Sequence, residues 1–224
     1  MFRIPSLLRS TVGRKVAMAV TGVVLLGFVI GHMAGNLKVF QGAEKLNSYA
    51  EFLREVGAPI FGHGELLWLA RIGLIVAVAV HIITATQLTL NARAARPVKY
   101  RRTVHLEDSY ASRTMRWGGV IIAVFVMYHL MHLTWGTVHR DFAPGDVYHN
   151  MVTAFQLAPV TAAYTVAVVF LGLHLFHGIW SACQTLGFNR SRHNGVRAVS
   201  AAAAVFITVG FLVGPYAILF GIIR

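Results

Sequence analysis

The charged residues of this chain fall in clusters, and between them lie five intervals with no Asp, Glu, Lys or Arg: Val16 to Leu37, Ile72 to Ala92, Trp117 to His139, Val147 to Asn189 and Ala198 to Ile223. A helix rises about 1.5 Å per residue and the hydrocarbon core is about 30 Å thick, so about 20 apolar residues make one crossing. Every interval is long enough. The fourth exceeds one span, and Pro159 suits the first turn of a helix, which leaves Val147 to Ala158 as a loop at the membrane surface. The runs are continuous, whereas a barrel strand would alternate. The expected fold is therefore all-α: an integral membrane bundle of five transmembrane helices forming a single membrane domain over 1–224, with spans at about 15–37, 66–92, 116–137, 159–186 and 197–222.

Arg3, Arg9, Arg14 and Lys15 precede the first apolar run, as they would in a secretory signal, but the run is long for a signal core and no small-x-small cleavage site follows it. It reads as a span. Fourteen of the twenty Lys and Arg residues then fall on one face of the membrane. The positive-inside bias puts the N-terminus and the loops between spans two and three and between four and five in the cytoplasm, and the C-terminus outside. The expected location is the cell inner membrane. Because the basic residues flank spans and are not interleaved with aromatics, the net charge of +12 does not indicate nucleic acid. Arg93, Arg96, Lys99, Arg101, Arg102, Arg113 and Arg116 between spans two and three serve topology, anionic membrane lipid or an acidic partner.

Between the first two spans, Ala43 to Val56 carries Leu46, Tyr49, Phe52 or Leu53, and Val56 at helical spacing among charged residues. This predicts an amphipathic helix on the outer interface, ended by Gly57 and Pro59, that connects two spans or roofs a site. Gly27, Gly31 and Gly35 form a small-residue strip on the first span. Close helix packing is the default reading of such a strip, and room for a flat cofactor beside His32 is the alternative.

The polar content of the spans is nearly all histidine: His32, His81, His129 with His132, and His174 with His177 on the first four, none on the fifth. A lone intramembrane histidine is ordinarily a hydrogen-bonded packing residue. Six on four helices suit axial ligation of haem iron, which takes one histidine from each of two helices at matching depth. His32 and His129 both lie about 10 Å from the outer helix ends, while His81 and His174 lie about 15 and 22 Å from them. The first two suit one haem and the second two another, nearer the cytoplasm. Spacing alone does not choose between His129 and His132, or between His174 and His177, because i and i+3 share a face. Arg71, near Glu65 at the outer end of the second span, either pairs with a haem propionate or snorkels to the surface; Arg113 and Arg116 are placed to serve an inner haem likewise. No carboxylate lies mid-span, which disfavours an ion-coupled transporter. The single cysteine, Cys183, excludes a disulfide, an iron–sulfur ligand set and covalent haem attachment, so any haem is b-type.

With Phe28 to His32 (FVIGH) and Asn36 in the first span, Gly42 to Ser48 (GAEKLNS) after it, His81, Tyr128 with His129, and His174 to Ser181 (HLFHGIWS), the chain resembles the cytochrome b membrane anchors of the succinate:quinone oxidoreductase and fumarate reductase family in their single-subunit, five-helix, two-haem form. The resemblance runs over nearly the whole chain. It implies His81 and His174 as ligands of the inner haem b and His32 and His129 as ligands of the outer one, with His132, His177 and Arg71 as neighbours of haem or quinone. It also implies partners on the cytoplasmic face: a flavoprotein that oxidises succinate and an iron–sulfur subunit that relays electrons. The anchor then passes them through both haems to a membrane quinone, with menaquinone expected, as part of succinate dehydrogenase in the respiratory chain, or runs the reverse in fumarate reduction. The chain lacks a dinucleotide-binding glycine motif and iron–sulfur cysteines, so the dicarboxylate site belongs to a partner. Glu65 and the amphipathic segment are further quinone candidates. The alternative reading is a dihaem cytochrome b of another quinone-linked enzyme, such as formate dehydrogenase or hydrogenase. A haem-free transporter or structural protein is the rival from another class.

Overall fold

A computed structural model of the protein describes residues 10–95, 110–188 and 194–224, and all regular structure among them is helical. The first span, α1 (Thr11–Asn36), starts where the Ser10 hydroxyl accepts the Gly13 amide at 3.0 Å, and it runs into a 3-10 turn, Leu37–Gln41. Gly42 at φ +88° then turns the chain into α2 (Ala43–Glu55), a conformation L side chains rarely adopt. α3 (Glu65–Ala94) and α4 (Tyr110–His129) follow, with α4 ending in a π-helical turn, Leu130–Thr134. Then come α5 (Val147–Phe155), α6 (Ala158–Thr185), with Pro159 in its first turn, and α7 (Asn194–Leu219).

Five of these stretches are long and apolar enough to cross a membrane: Thr11–Gln41, Glu65–Ala94, Met115–Thr134, Ala158–Thr185 and Gly195–Leu219. α1 and α6 pack together at the centre, α3 lies on α1, α4 lies on α6, and α7 contacts both central helices. The outward faces stay apolar, with Ile75 66% and Val124 67% exposed. A multi-pass protein presents such faces to lipid, where apolar exposure costs nothing. One end of the bundle carries Arg14, Lys15, Arg93, Arg116 and Arg197 and is called the basic end below. The other is roofed by α2 and α5, which pack on each other.

Two expectations need correction. Residues 147–158, read from the sequence as a loop, contain the helix α5, because Asp146 caps it by accepting the His149 amide at 2.9 Å and Met151, Val152, Ala154 and Phe155 bury themselves in the core under the roof. The glycine strip does not act as one packing face: a Cβ on Gly35 would meet the Tyr49 ring at 3.0 Å, whereas Gly27 and Gly31 face open space. The third apolar stretch runs to Thr134, against an expected end at about 137. Most of the basic stretch between spans two and three lies outside the described residues, as do the side chain of Arg113 and residues 1–9 with Arg3 and Arg9.

Candidate functional site

Four of the six intramembrane histidines meet in two pairs. The His81 and His174 rings are 6.3 Å apart, centre to centre, and the His32 and His129 rings 5.8 Å apart. The helices bearing each pair, α3 with α6 and α1 with α4, are not packed neighbours, so each pair meets between helices that do not lie on one another. His81 lies against Gly22 of α1, where a Cβ would come to 3.4 Å of its ring, and His174 lies against Gly119 of α4 at 3.7 Å. His32 and His129 each lie ten residues further along α1 and α4 than those glycines. The two pairs are therefore about 15 Å apart along the bundle on either helix.

The ring nitrogens differ in their partners. Nδ1 of His81 is 3.2 Å from the Met18 carbonyl and 3.3 Å from the Thr21 hydroxyl. Nδ1 of His129 is 3.3 Å from the Tyr164 hydroxyl, and the same hydroxyl is 3.0 Å from Nδ1 of His132. His174 Nδ1 and His177 Nδ1 are buried with no partner. His132, 3% exposed, is thus tied to the outer pair without joining it, and its ring stacks on His139 at 4.9 Å and on Tyr128 at 5.2 Å. His177 lies edge-on to Trp180 at 6.0 Å, toward the basic end.

Two imidazoles that bind one iron from opposite sides at about 2 Å, the usual metal–imidazole distance, have ring centres about 6 Å apart. Both pairs match that spacing, the helices bearing each pair are not packed on one another, and Gly22 and Gly119 present no side chain to the His81 and His174 rings. The residues present fit two bis-histidine haems. Arg71 is exposed, its guanidinium 4.8 Å over the Trp68 ring, and neighbouring Glu65 accepts the Gly62 amide at 3.0 Å. These two stand on the roofed end of α3, and Arg116 is exposed at the basic end.

A cavity of about 190 Å³ opens beside the outer pair, lined by Tyr128, His132, His139, Arg140, Asp141 and Thr153 among others. A larger apolar groove of about 320 Å³, between Val120, Val124 and Phe125 of α4 and Ala163 and Val166 of α6, meets it at Tyr128. His139, Arg140 and Thr153 had no recognisable pattern in the sequence, since they come together only through the fold of the segment before α5. His139 is held there by the Asn150 carbonyl at 3.0 Å and the Asp141 amide at 3.1 Å. Above it, the Asn47 amide donates to Asp146 at 2.9 Å and the Asn47 oxygen accepts the Tyr148 amide at 3.0 Å, tying α2 to α5. The bonds from the His149 amide and from Asn47 hold the Asp146 carboxyl below its ordinary range. On the exposed roof, Glu51, Glu55 and His63 bring ligand atoms within 4.8 Å of one another, but Arg54 already bonds Glu51 at 2.7 Å.

A family model described as succinate dehydrogenase/fumarate reductase transmembrane subunit matches residues 89–213, more than half of the chain and one histidine of each pair. No curated protein and no solved structure matches it.

Proposed function

The chain belongs to the succinate dehydrogenase/fumarate reductase transmembrane subunit family, and we propose that within it this chain is the haem b anchor that carries electrons between an iron–sulfur subunit at the basic end and a quinone at the roofed end. The observation that supports this reading is the pair of cross-helix histidine couples, stacked along the bundle in a chain of this family. His81 and His174 hold the inner haem, His32 and His129 the outer one. A haem bound this way supplies one-electron oxidation and reduction at its iron.

The chain's own hydrogen bonds set which ring nitrogens are free for metal. His81 donates its Nδ1 proton to the Met18 carbonyl, which leaves the Nε2 lone pair for iron. His129 donates from Nδ1 to the Tyr164 oxygen, and the Tyr164 O–H then donates to Nδ1 of His132. That leaves His132 with its proton on Nε2, an atom without another partner among the described residues, on the wall of the polar cavity. A quinone carbonyl accepts from that proton, with Arg140 and Thr153 on the same wall, and the isoprenoid tail lies in the apolar groove past Tyr128. The succinate site belongs to a flavoprotein partner docked, through the iron–sulfur subunit, on the basic end.

The test is a dithionite-reduced minus oxidised spectrum of the purified protein, with haem counted per chain, repeated for His32→Ala, His81→Ala, His129→Ala and His174→Ala. Two b-type haems are expected, one lost with His32 or His129 and the other with His81 or His174. A colourless protein overturns the function, and loss only with His132 or His177 overturns the ligands.

A further inference from the structure

Among the described residues, four buried side-chain nitrogens have no hydrogen-bond partner: Arg14 Nε, His174 Nδ1, His177 Nδ1 and Trp180 Nε1. They are not scattered. On α6, His177 and Trp180 lie about 4.5 and 9 Å beyond His174 toward the basic end. On α1, Arg14, Met18 and Gly22 share one face at successive turns; Met18 and Gly22 touch His81, and Arg14 lies about 6 Å beyond Met18, again toward the basic end. Three of the orphans therefore border the same side of the inner histidine pair, at similar depth, from two helices that pack together. Trp180 is 7% exposed, and the Arg197 guanidinium of α7 lies 5.7 Å over its ring.

A buried N–H left without an acceptor costs free energy, and three of them on one side of the inner pair are donors for something the described residues do not provide. Every carboxylate among the described residues stands at the roofed end, and the neighbouring charge is positive, so the matching group is an anion with several acceptor oxygens. Nothing comparable surrounds the outer pair, where Tyr164 satisfies both His129 and His132.

We propose that Arg14 Nε, His177 Nδ1 and Trp180 Nε1 bind the carboxylates of the porphyrin held between His81 and His174, so that the inner haem is seated with its propionates toward the basic end. This rests on the haem reading above and adds the residues that orient the inner ring. These donors neutralise carboxylate charge, which otherwise favours the ferric iron, so they raise the inner potential.

The experiment is a potentiometric titration of both haems in the assembled complex, for the wild type, Trp180→Phe, Arg14→Gln and Arg14→Lys, with haem counted in each. The inner haem is identified as the one lost in His81→Ala. Trp180→Phe keeps an aromatic ring and removes only the donor. Trp180→Phe and Arg14→Gln should each retain two haems and shift the inner couple's oxidised-to-reduced ratio about tenfold toward oxidised at fixed potential, which is 59 mV for one electron. Arg14→Lys, which keeps the charge, should shift it less, and the outer potential should not move. An unmoved inner potential, or equal shifts of both haems, overturns the proposal, as does a raised quinone KM with the inner potential unchanged, which would assign the donors to a quinone carbonyl. A wild-type complex without haem, or two haems surviving in His81→Ala, overturns the underlying reading instead.

Discussion

Tyr164 is the residue on which the outer half of the site turns. Its ring is packed edge-on against Phe125 and Phe155 at 4.9 Å, so the hydroxyl has little freedom, and it is the shared partner of His129 and His132. Replacing it with Phe leaves both Nδ1 atoms without that partner in a buried setting, at a cost of about 1–3 kcal/mol. Tyr164→Phe should lower the thermal midpoint in detergent and alter the spectrum of the outer haem while the inner one keeps its bands; an unchanged outer haem would show that Tyr164 does not orient His129. The histidines themselves could be read from the sequence, because an ionisable side chain in an apolar run stands out. Tyr164 could not, since a tyrosine in a span is ordinary and its role follows only from which two rings its hydroxyl reaches. Arg14 was visible only as one of the flanking charges, and Trp180 lay inside a recognised string without a role, because an unpartnered nitrogen is a property of the packed state.

At the level of elements, the roof depends on the junction of α2 and α5 more than on either helix. Asp146 caps α5 and accepts from Asn47 of α2, so Asp146→Ala removes a cap worth about 0.5–2 kcal/mol and also releases α2. Hydrogen exchange should rise in both helices together, whereas a rise confined to α5 would mean that the two are not coupled. The Asp146 pKa is lowered in the folded protein from an ordinary 3.8, first by the His149 amide and then by Asn47. Its contribution is therefore complete above the ordinary value and disappears as pH falls through the depressed one. Roof protection should hold at pH 5 and decline below about 3.8, with Asp146→Asn flattening that decline because Asn still caps. In the spans, Gly172 of α6 is pressed against the Thr208 hydroxyl of α7, which is itself bonded to the Ala204 carbonyl at 2.8 Å. Gly172→Ala forces those helices apart and should cost about 1–3 kcal/mol in a thermal or denaturant melt; a neutral effect would mean that the α6 and α7 contact adapts freely. The sequence carried the signal for α5, an Asp before a run with apolar residues at helical spacing, but with Pro159 opening the following span the charge-free residues before it read as a loop at the membrane surface.

For the molecule as a whole, the distribution of Lys and Arg sets an expected orientation with the basic end in the cytoplasm. In a Cys183→Ser background, His63→Cys on the roof should react with a membrane-impermeant maleimide in intact cells, and Gln184→Cys at the other end only after permeabilisation; the reverse pattern would invert the reading. Charge-free intervals of bilayer length determined by themselves that the chain is a helical bundle, because backbone polar groups in hydrocarbon must be satisfied within each segment. The interfacial helix followed from the same local logic of periodicity, and histidine depth, a one-dimensional quantity at 1.5 Å per residue, already grouped the four histidines by level. Tertiary structure alone decided which i, i+3 member faces its counterpart across the bundle, which glycines touch a neighbour and which face open space, and where polar side chains from separate segments enclose a cavity. Those features depend on rotation about each helix axis and on helix neighbours, and neither is recorded in a count of residues along a chain.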